Sequence, residues 1–195
     1  VLRELGVPTV LCGQLEGHPY RDVFSTVYSD DEEGGHFAAL AMKERGRKDI
    51  VAVLGPQDNP AVVDRLRGYR AVLGEDLPDA NVIYTGWNNG DGYQAMHQIL
   101  AREIAFDGVL CGSDRIAAGV ITALNEAGLS VPADVSVVGF DDHEIATRCV
   151  PALTTVRQPL REEGHMAANI ALDMIKGAEP TTSVMHMQLI QRDSL

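Results

Sequence analysis

The chain has 195 residues, 45% of them hydrophobic and 23% charged, with a formal net charge of −12 at pH 7. That balance belongs to a folded globular protein rather than a disordered one, and so acidic a chain lacks the basic face that direct nucleic-acid contact requires. No apolar run approaches the length of a membrane span, and the cysteines, Cys12, Cys111 and Cys149, lack metal or redox spacing, so they are expected to be reduced, buried residues of a cytosolic protein.

The opening residues, VLRELGVPTVL, carry Arg3 and Glu4 inside their apolar pattern and do not read as a signal peptide. They predict the end of a helix, a turn at Gly6 and a strand over Val7–Leu11, so the chain is expected to begin inside a fold. Gly13 and Gln14 follow, then a polar loop over 15–25 and a short strand over Thr26–Tyr28. Ser29-Asp30-Asp31-Glu32 supplies a cap and acids for the first turn of a helix. That helix buries Ala38, Ala41 and Met42 and stops near Gly46. Ile50–Leu54 predicts a strand buried on both faces. Pro60 suits a first helical position, and Val62, Leu66, Tyr69 and Leu73 recur at helical spacing. A strand over Val82–Tyr84, a polar loop over 86–89 and a helix over Tyr93–Ala101 come next. Gly108–Cys111 predicts a strand, Ser113 and Asp114 a cap, Ile116, Val120 and Leu124 a helix face, and Gly128 its left-handed stop.

The rest is organised around VSVVGFDDHEIATRCVPALTTVRQP, residues 135–159. A buried strand over Val135–Phe140 ends on two acids, Asp141 and Asp142, and a second over Leu153–Val156 ends on Arg157 and Gln158. A helix over Leu160–Lys176 is expected to turn Gly164, Ala167, Ala168, Ala171 and Ile175 inward, and a last strand spans Val184–Ile190. This alternation implies an α/β fold with mainly parallel strands and helices on both faces.

In such a sheet the carboxyl ends of the strands share one edge, where ligands sit. The residues expected there are Gln14, Gln57-Asp58-Asn59, Trp87-Asn88-Asn89, Ser113-Asp114, Asp141-Asp142 and Arg157-Gln158, with Arg65 near the start of its helix. Carboxylates, amides, one arginine and the single tryptophan suit a polyhydroxylated ring, hydrogen-bonded at its rim and covered on its apolar face. Plainer roles compete. Asp31, Ser113 and Asp114 suit helix caps, Asp142 a turn, Trp87 a core position, and Arg65 a surface pair with Asp64 or Glu75. Only Asp141 resists a structural explanation, because a carboxylate at a buried strand exit is costly without a polar partner. Gly90-Asp91-Gly92-Tyr93-Gln94-Ala95 fits the glycine spacing of a dinucleotide site but does not directly follow its strand. The six histidines lack ligand spacing, and neither a nucleophile elbow nor a phosphate loop is present. No cofactor, metal or catalytic group is expected.

VPADVSVVGFDD followed by PALTTVRQP closely resembles the effector-binding core of the lactose-repressor (LacI/GalR) family of bacterial transcription regulators. So do VYSDDEEGGHFAALAMKERG, IVAVLGPQDNPAVVDRLRGYRAVL, GDGYQAM and GVLCGSDRIAAGVITALNEAG. The resemblance implies a two-lobed, type I periplasmic-binding-protein-like fold holding a small molecule between the lobes. Its crossovers would fall near 29–31, 156–158 and 181–183. An incomplete amino-terminal lobe would comprise 1–29 and 158–181, and a carboxyl-terminal lobe 30–157 and 182–195. The family's DNA-reading headpiece is not in this sequence. By the same resemblance Arg65 holds effector hydroxyls or a carboxylate, Trp87 stacks on the effector, and Asp141 and Gln158 bind it. Ser113 replaces the usual asparagine of an Asn-Asp pair, and Gly13 stands where an aspartate is common. Implied with these are a sugar, sugar phosphate or nucleoside effector, operator DNA bound through the missing headpiece, a homodimer and a cytoplasmic location. A periplasmic sugar-binding protein of a transport system and an enzyme using the Asp141 crevice are the rival readings.

Overall fold

In the structure, a computed structural model, residues 6–13, 24–102 and 104–195 are described. Gln14 and most of the loop expected over 15–25 lie outside them. In chain order the elements begin β1 (Val10–Cys12), β2 (Ser25–Ser29), α1 (Asp31–Glu44), β3 (Ile50–Leu54), α2 (Pro60–Leu73), β4 (Val82–Tyr84) and α3 (Asn89–Leu100). They continue β5 (Gly108–Cys111), α4 (Asp114–Glu126), β6 (Ser136–Asp141), α5 (Glu144–Arg148), β7 (Thr154–Arg157), α6 (Leu160–Ile175), β8 (Thr182–Met185) and β9 (Gln188–Ile190). None of the described helices is long and apolar enough to cross a membrane.

The chain divides into two compact units, one of residues 1–30 and 159–187, the other of 31–158 and 188–195. In the smaller unit three parallel strands run in the order β1-β2-β8, with α6 packed on β1 and β2. Ser29 Oγ donates to Glu163 Oε2 at 3.1 Å and Ser25 Oγ to Met174 Sδ at 3.1 Å, so α6 faces the sheet through Glu163, Ile170 and Met174. This corrects the expected inward stripe: Gly164 and Ala168 are exposed, and Ile175 is 69% exposed. Small residues at i, i+3 and i+4 fit two neighbouring faces of a helix equally well, and the heavier side chains decide between them.

The larger unit holds a six-stranded sheet in the order β4-β3-β5-β6-β7-β9, parallel except where β9 runs against β7. Every residue of β3 and β5 is buried, as a sheet covered on both faces demands. Val51, Val53, Val109, Cys111 and Val137 pack into one core with Met96 and Ile99 of α3 and Ile116, Val120 and Leu124 of α4. The alternate residues Ile50 and Phe140 face α1, lying beside Met42 and Gly34.

Two helix pairs close tightly because glycine lets backbones touch. A Cβ on Gly35 of α1 would lie 2.3 Å from the carbonyl oxygen of Arg65, and one on Gly68 of α2 2.1 Å from that of Glu32. A Cβ on Gly92 of α3 would lie 2.2 Å from the Ile116 oxygen of α4. The Gly90–Ala95 pattern is thus the first turn of a helix packed on its neighbour, closed by an Asn88–Asp91 capping box. That box starts α3 at Asn89, four residues before the expected Tyr93. The single last strand expected over 184–190 is two: β8 pairs with β2 in the smaller unit, and β9 pairs with β7 in the larger. Residues 182–187, expected with the larger lobe, therefore belong to the smaller unit. Cys12 is exposed, contrary to expectation, while Cys111 is buried and Cys149 half-buried.

Candidate functional site

β6 carries its chain to Asp141 with an unusual backbone. Asp141 has φ 107 and Asp142 φ 53, both in the region that non-glycine residues avoid. Such strain persists only where surroundings over-determine it, and here each carboxylate is held. Asp142 accepts from Arg157 Nε at 2.7 Å and from Arg192 Nη2 at 2.5 Å. Burial pulls its pKa up, but the two guanidinium groups outweigh it and keep the carboxyl below the usual range. Arg192 also donates to the Leu153 carbonyl, while its backbone N–H donates to Thr154 Oγ1, so it ties the exit of β6 to the start of β7.

Asp141 points to the other partners. Gln158 Nε2 donates to its Oδ1 at 2.5 Å, and Arg65 Nη1 lies 3.6 Å from the same oxygen. Burial raises its pKa, against the pull of Arg65 and Gln158. Arg65 itself is 4% exposed, contrary to the surface pair weighed from the sequence. Its Nε donates to Asp31 Oδ1 at 2.7 Å, its Nη1 donates to the Gly112 carbonyl, and its guanidinium lies 3.7 Å from the centroid of the Phe140 ring. The close α1–α2 contact at Gly35 makes this geometry: it brings Asp31, the first residue of α1, within reach of a side chain on α2.

Trp87 is half-buried, and its indole covers Gly55 at the exit of β3, where a Cβ would lie 2.5 Å from the ring. Gly55 in turn abuts Gly112, whose carbonyl holds Arg65. Trp87, Arg65, Asp141 and Gln158 thus form one contiguous run at the carboxyl edge of the sheet. Asn59 and Ser113 are the N-caps of α2 and α4, accepting from Ala61 N at 3.0 Å and Ile116 N at 3.2 Å. Their side-chain oxygens serve the helices, which leaves the Asn59 amide nitrogen and the Ser113 hydroxyl hydrogen as donors. Asp114 is fully buried and caps nothing. It accepts from Thr155 Oγ1 at 2.5 Å and His143 N at 2.6 Å, tying β7 and the turn after β6 to α4. Burial raises its pKa to about 7 against those two hydrogen bonds.

Two functional candidates escaped the sequence reading, Asp31 and Arg192. Asp31 was read only as a cap, because its bond to Arg65 spans 34 residues and leaves no local pattern. Arg192 lies beyond the last recognisable motif. Among the described residues no group of three or more histidines, cysteines or acids could hold a metal ion. The arrangement offers hydrogen-bonding groups beside an aromatic face.

The Periplasmic binding protein-like domain family matches residues 39–195. The HTH-type transcriptional repressor PurR of Escherichia fergusonii is 36% identical over 184 residues, which cover 92% of this chain and 54% of that protein. The HTH-type transcriptional regulator CelR of Thermobifida fusca is 36% identical over 199 residues, covering 100% and 58%. The solved complex of the regulator CelR with cellobiose has TM-score 0.92 and 36% identity, covering 100% of this chain and 61% of that one. A LacI family regulator from Enterococcus faecalis with bound ribose has TM-score 0.89 and 29% identity, covering 99% and 70%. The chain therefore spans little more than half the length of the curated relatives it matches. With four-fifths of its length matched and relatives of this one kind, the chain belongs to the periplasmic binding protein-like domain family, in the branch formed by the effector-binding domains of LacI-type transcriptional regulators.

Proposed function

We propose that this chain senses a sugar or similar polyhydroxylated metabolite on behalf of a cytoplasmic, homodimeric LacI-type regulator whose DNA-reading part lies outside this sequence. The observation that carries the reading is the contiguous run of Trp87, Arg65, Asp141 and Gln158 at one sheet edge. Amide, carboxylate and guanidinium groups meet hydroxyls there, and the indole meets the apolar face of a ring. Sugars in the solved relatives, cellobiose in CelR and ribose in the Enterococcus faecalis regulator, support it. The chain performs no chemical step of its own. Its output is a coupling free energy: a ligand that favours one state of the regulator changes its affinity for operator DNA, typically by 5- to 150-fold.

The test uses the full-length protein, a labelled operator fragment and a panel of sugars, sugar phosphates and nucleosides. A true effector shifts the operator titration at least fivefold and changes the emission of Trp87, the single tryptophan of this chain. An effector that shifts DNA binding but leaves this emission untouched removes Trp87 from the site. Turnover of a bound sugar would make the domain an enzyme instead.

A further inference from the structure

Arg65 is the one described cation in contact with Asp141, and how its donors are spent decides which ligands it can hold. A guanidinium grips a carboxylate or phosphate through two adjacent N–H groups, either Nε with one terminal nitrogen or the two terminal nitrogens together. In this chain Nε is committed to Asp31 Oδ1 at 2.7 Å and Nη1 to the carbonyl of Gly112. The edge formed by Nε is therefore occupied by Asp31, one N–H of Nη1 is spent on Gly112, and one flat face is covered by the Phe140 ring at 3.7 Å. The second N–H of Nη1 and the two of Nη2 remain, and Nη1 itself lies 3.6 Å from Asp141 Oδ1, so each paired edge has a carboxylate beside it. The other nearby arginines, Arg157 and Arg192, are both drawn to Asp142. A ligand anion would also approach the Asp141 carboxylate, 3.6 Å from Arg65 Nη1.

We propose that Asp31 is a specificity-determining residue: by occupying Arg65 it closes the site to bidentate anions, so that the effector is a neutral polyhydroxylated molecule and not its phosphorylated or carboxylate counterpart. The proposal rests on the sheet-edge cluster being the effector site. A hydroxyl needs one donor and returns one to Asp141, and both are available. A phosphate needs a paired edge and must displace Asp31 at one or crowd the Asp141 carboxylate at the other.

The test is isothermal titration of the full-length protein with matched pairs: glucose, glucose 6-phosphate and gluconate; ribose and ribose 5-phosphate; cellobiose and cellobionate. Wild type, Asp31→Asn and Asp141→Asn are compared, each checked by thermal melting. For whichever sugar binds, the neutral member is expected to bind wild type at least tenfold more tightly than its anionic counterpart. Asp31→Asn, which removes the charge competing for Arg65, is expected to narrow that ratio by about tenfold. An anionic member that binds wild type as tightly as the neutral one overturns the proposal, without need of a variant. So does a ratio unchanged in a folded Asp31→Asn. Failure of the underlying site looks different: the bound sugar is then indifferent to Asp141→Asn, or no member of the panel binds at all. Either result removes the proposal together with the site.

Discussion

Arg65 has an anchoring role that the sequence could not show. DRLRGY leads to the expectation that it holds an effector, but its anchoring on Asp31, Gly112 and Phe140 depends on contacts between distant parts of the chain. Removing it takes a buried cation from two carboxylates and the Gly112 carbonyl. Arg65→Ala is therefore expected to lose about 2–3 kcal/mol of stability as well as ligand affinity, the lower end of the usual cost because Asp141 remains a third exposed. A lowered urea midpoint at constant slope would show it, and an unchanged midpoint would return Arg65 to a purely ligand-holding role. Asp141→Asn keeps the shape and one acceptor, so it is expected to cost tenfold or more in effector affinity with little change in melting temperature. Asp114 acts on stability in the opposite sense from an ordinary salt-bridged acid. Its folded pKa of about 7 lies above the ordinary carboxylate value, so the folded state binds the extra proton between about pH 4 and 7. Its contribution is fully present below about pH 4 and is lost as pH rises through 7, on the order of 1–4 kcal/mol. Asp114→Asn should flatten that limb of the denaturation profile, and an unaltered limb would show that another group produces it.

Helix contacts give the element scale its sharpest test. Gly35→Ala places a methyl 2.3 Å from the Arg65 carbonyl oxygen, backbone against backbone, so α1 must move away from α2. The expected cost is about 1–3 kcal/mol, with weaker ligand binding, because the displaced helix carries Asp31. Gly164→Ala in α6 meets nothing within 4 Å and should stabilise by about 0.5–1 kcal/mol, the usual gain in a helix interior. Equal effects at the two sites, read as chemical denaturation midpoints, would refute the packing account. The same elements show what a sequence reveals. Val82–Tyr84 and Gly108–Cys111 were legible to the residue, because short apolar runs flanked by polar or glycine breaks have few alternatives. The start of α3 was not, because Gly90 and Gly92 argue against a helix until the facing α4 backbone explains them. The division between β8 and β9 was not either, since residues 184–190 contain no proline or glycine to mark it. Only their different strand partners separate them.

At the scale of the whole chain the two units are unequal in what holds them. The larger has two fully buried strands and helices on both faces, while the described residues of the smaller form three short strands and one helix with a largely exposed surface. Hydrogen exchange on residues 1–195 should therefore protect the amides of β3 and β5 up to the global unfolding free energy. Those of β1 and β8 should exchange through smaller openings. Uniform protection across both sheets would show one cooperative body. The parallel sense of most strands was foreseeable from the alternation of helix and strand, and the antiparallel β9 was not, because nothing in its composition states a direction.

The clamp on Asp142 has a consequence for biosynthesis. Its two arginines stand 15 and 50 residues further along the chain. At ribosomal speeds of about 5–20 residues per second, Arg192 is made some seconds after the acid it neutralises. In that interval β7 lacks its antiparallel neighbour and Asp142 keeps only Arg157. The exit of β6 thus gains its second counter-ion only after residue 192 is made, and a peptide released before residue 188 would carry every motif that suggests the family without β9 or Arg192.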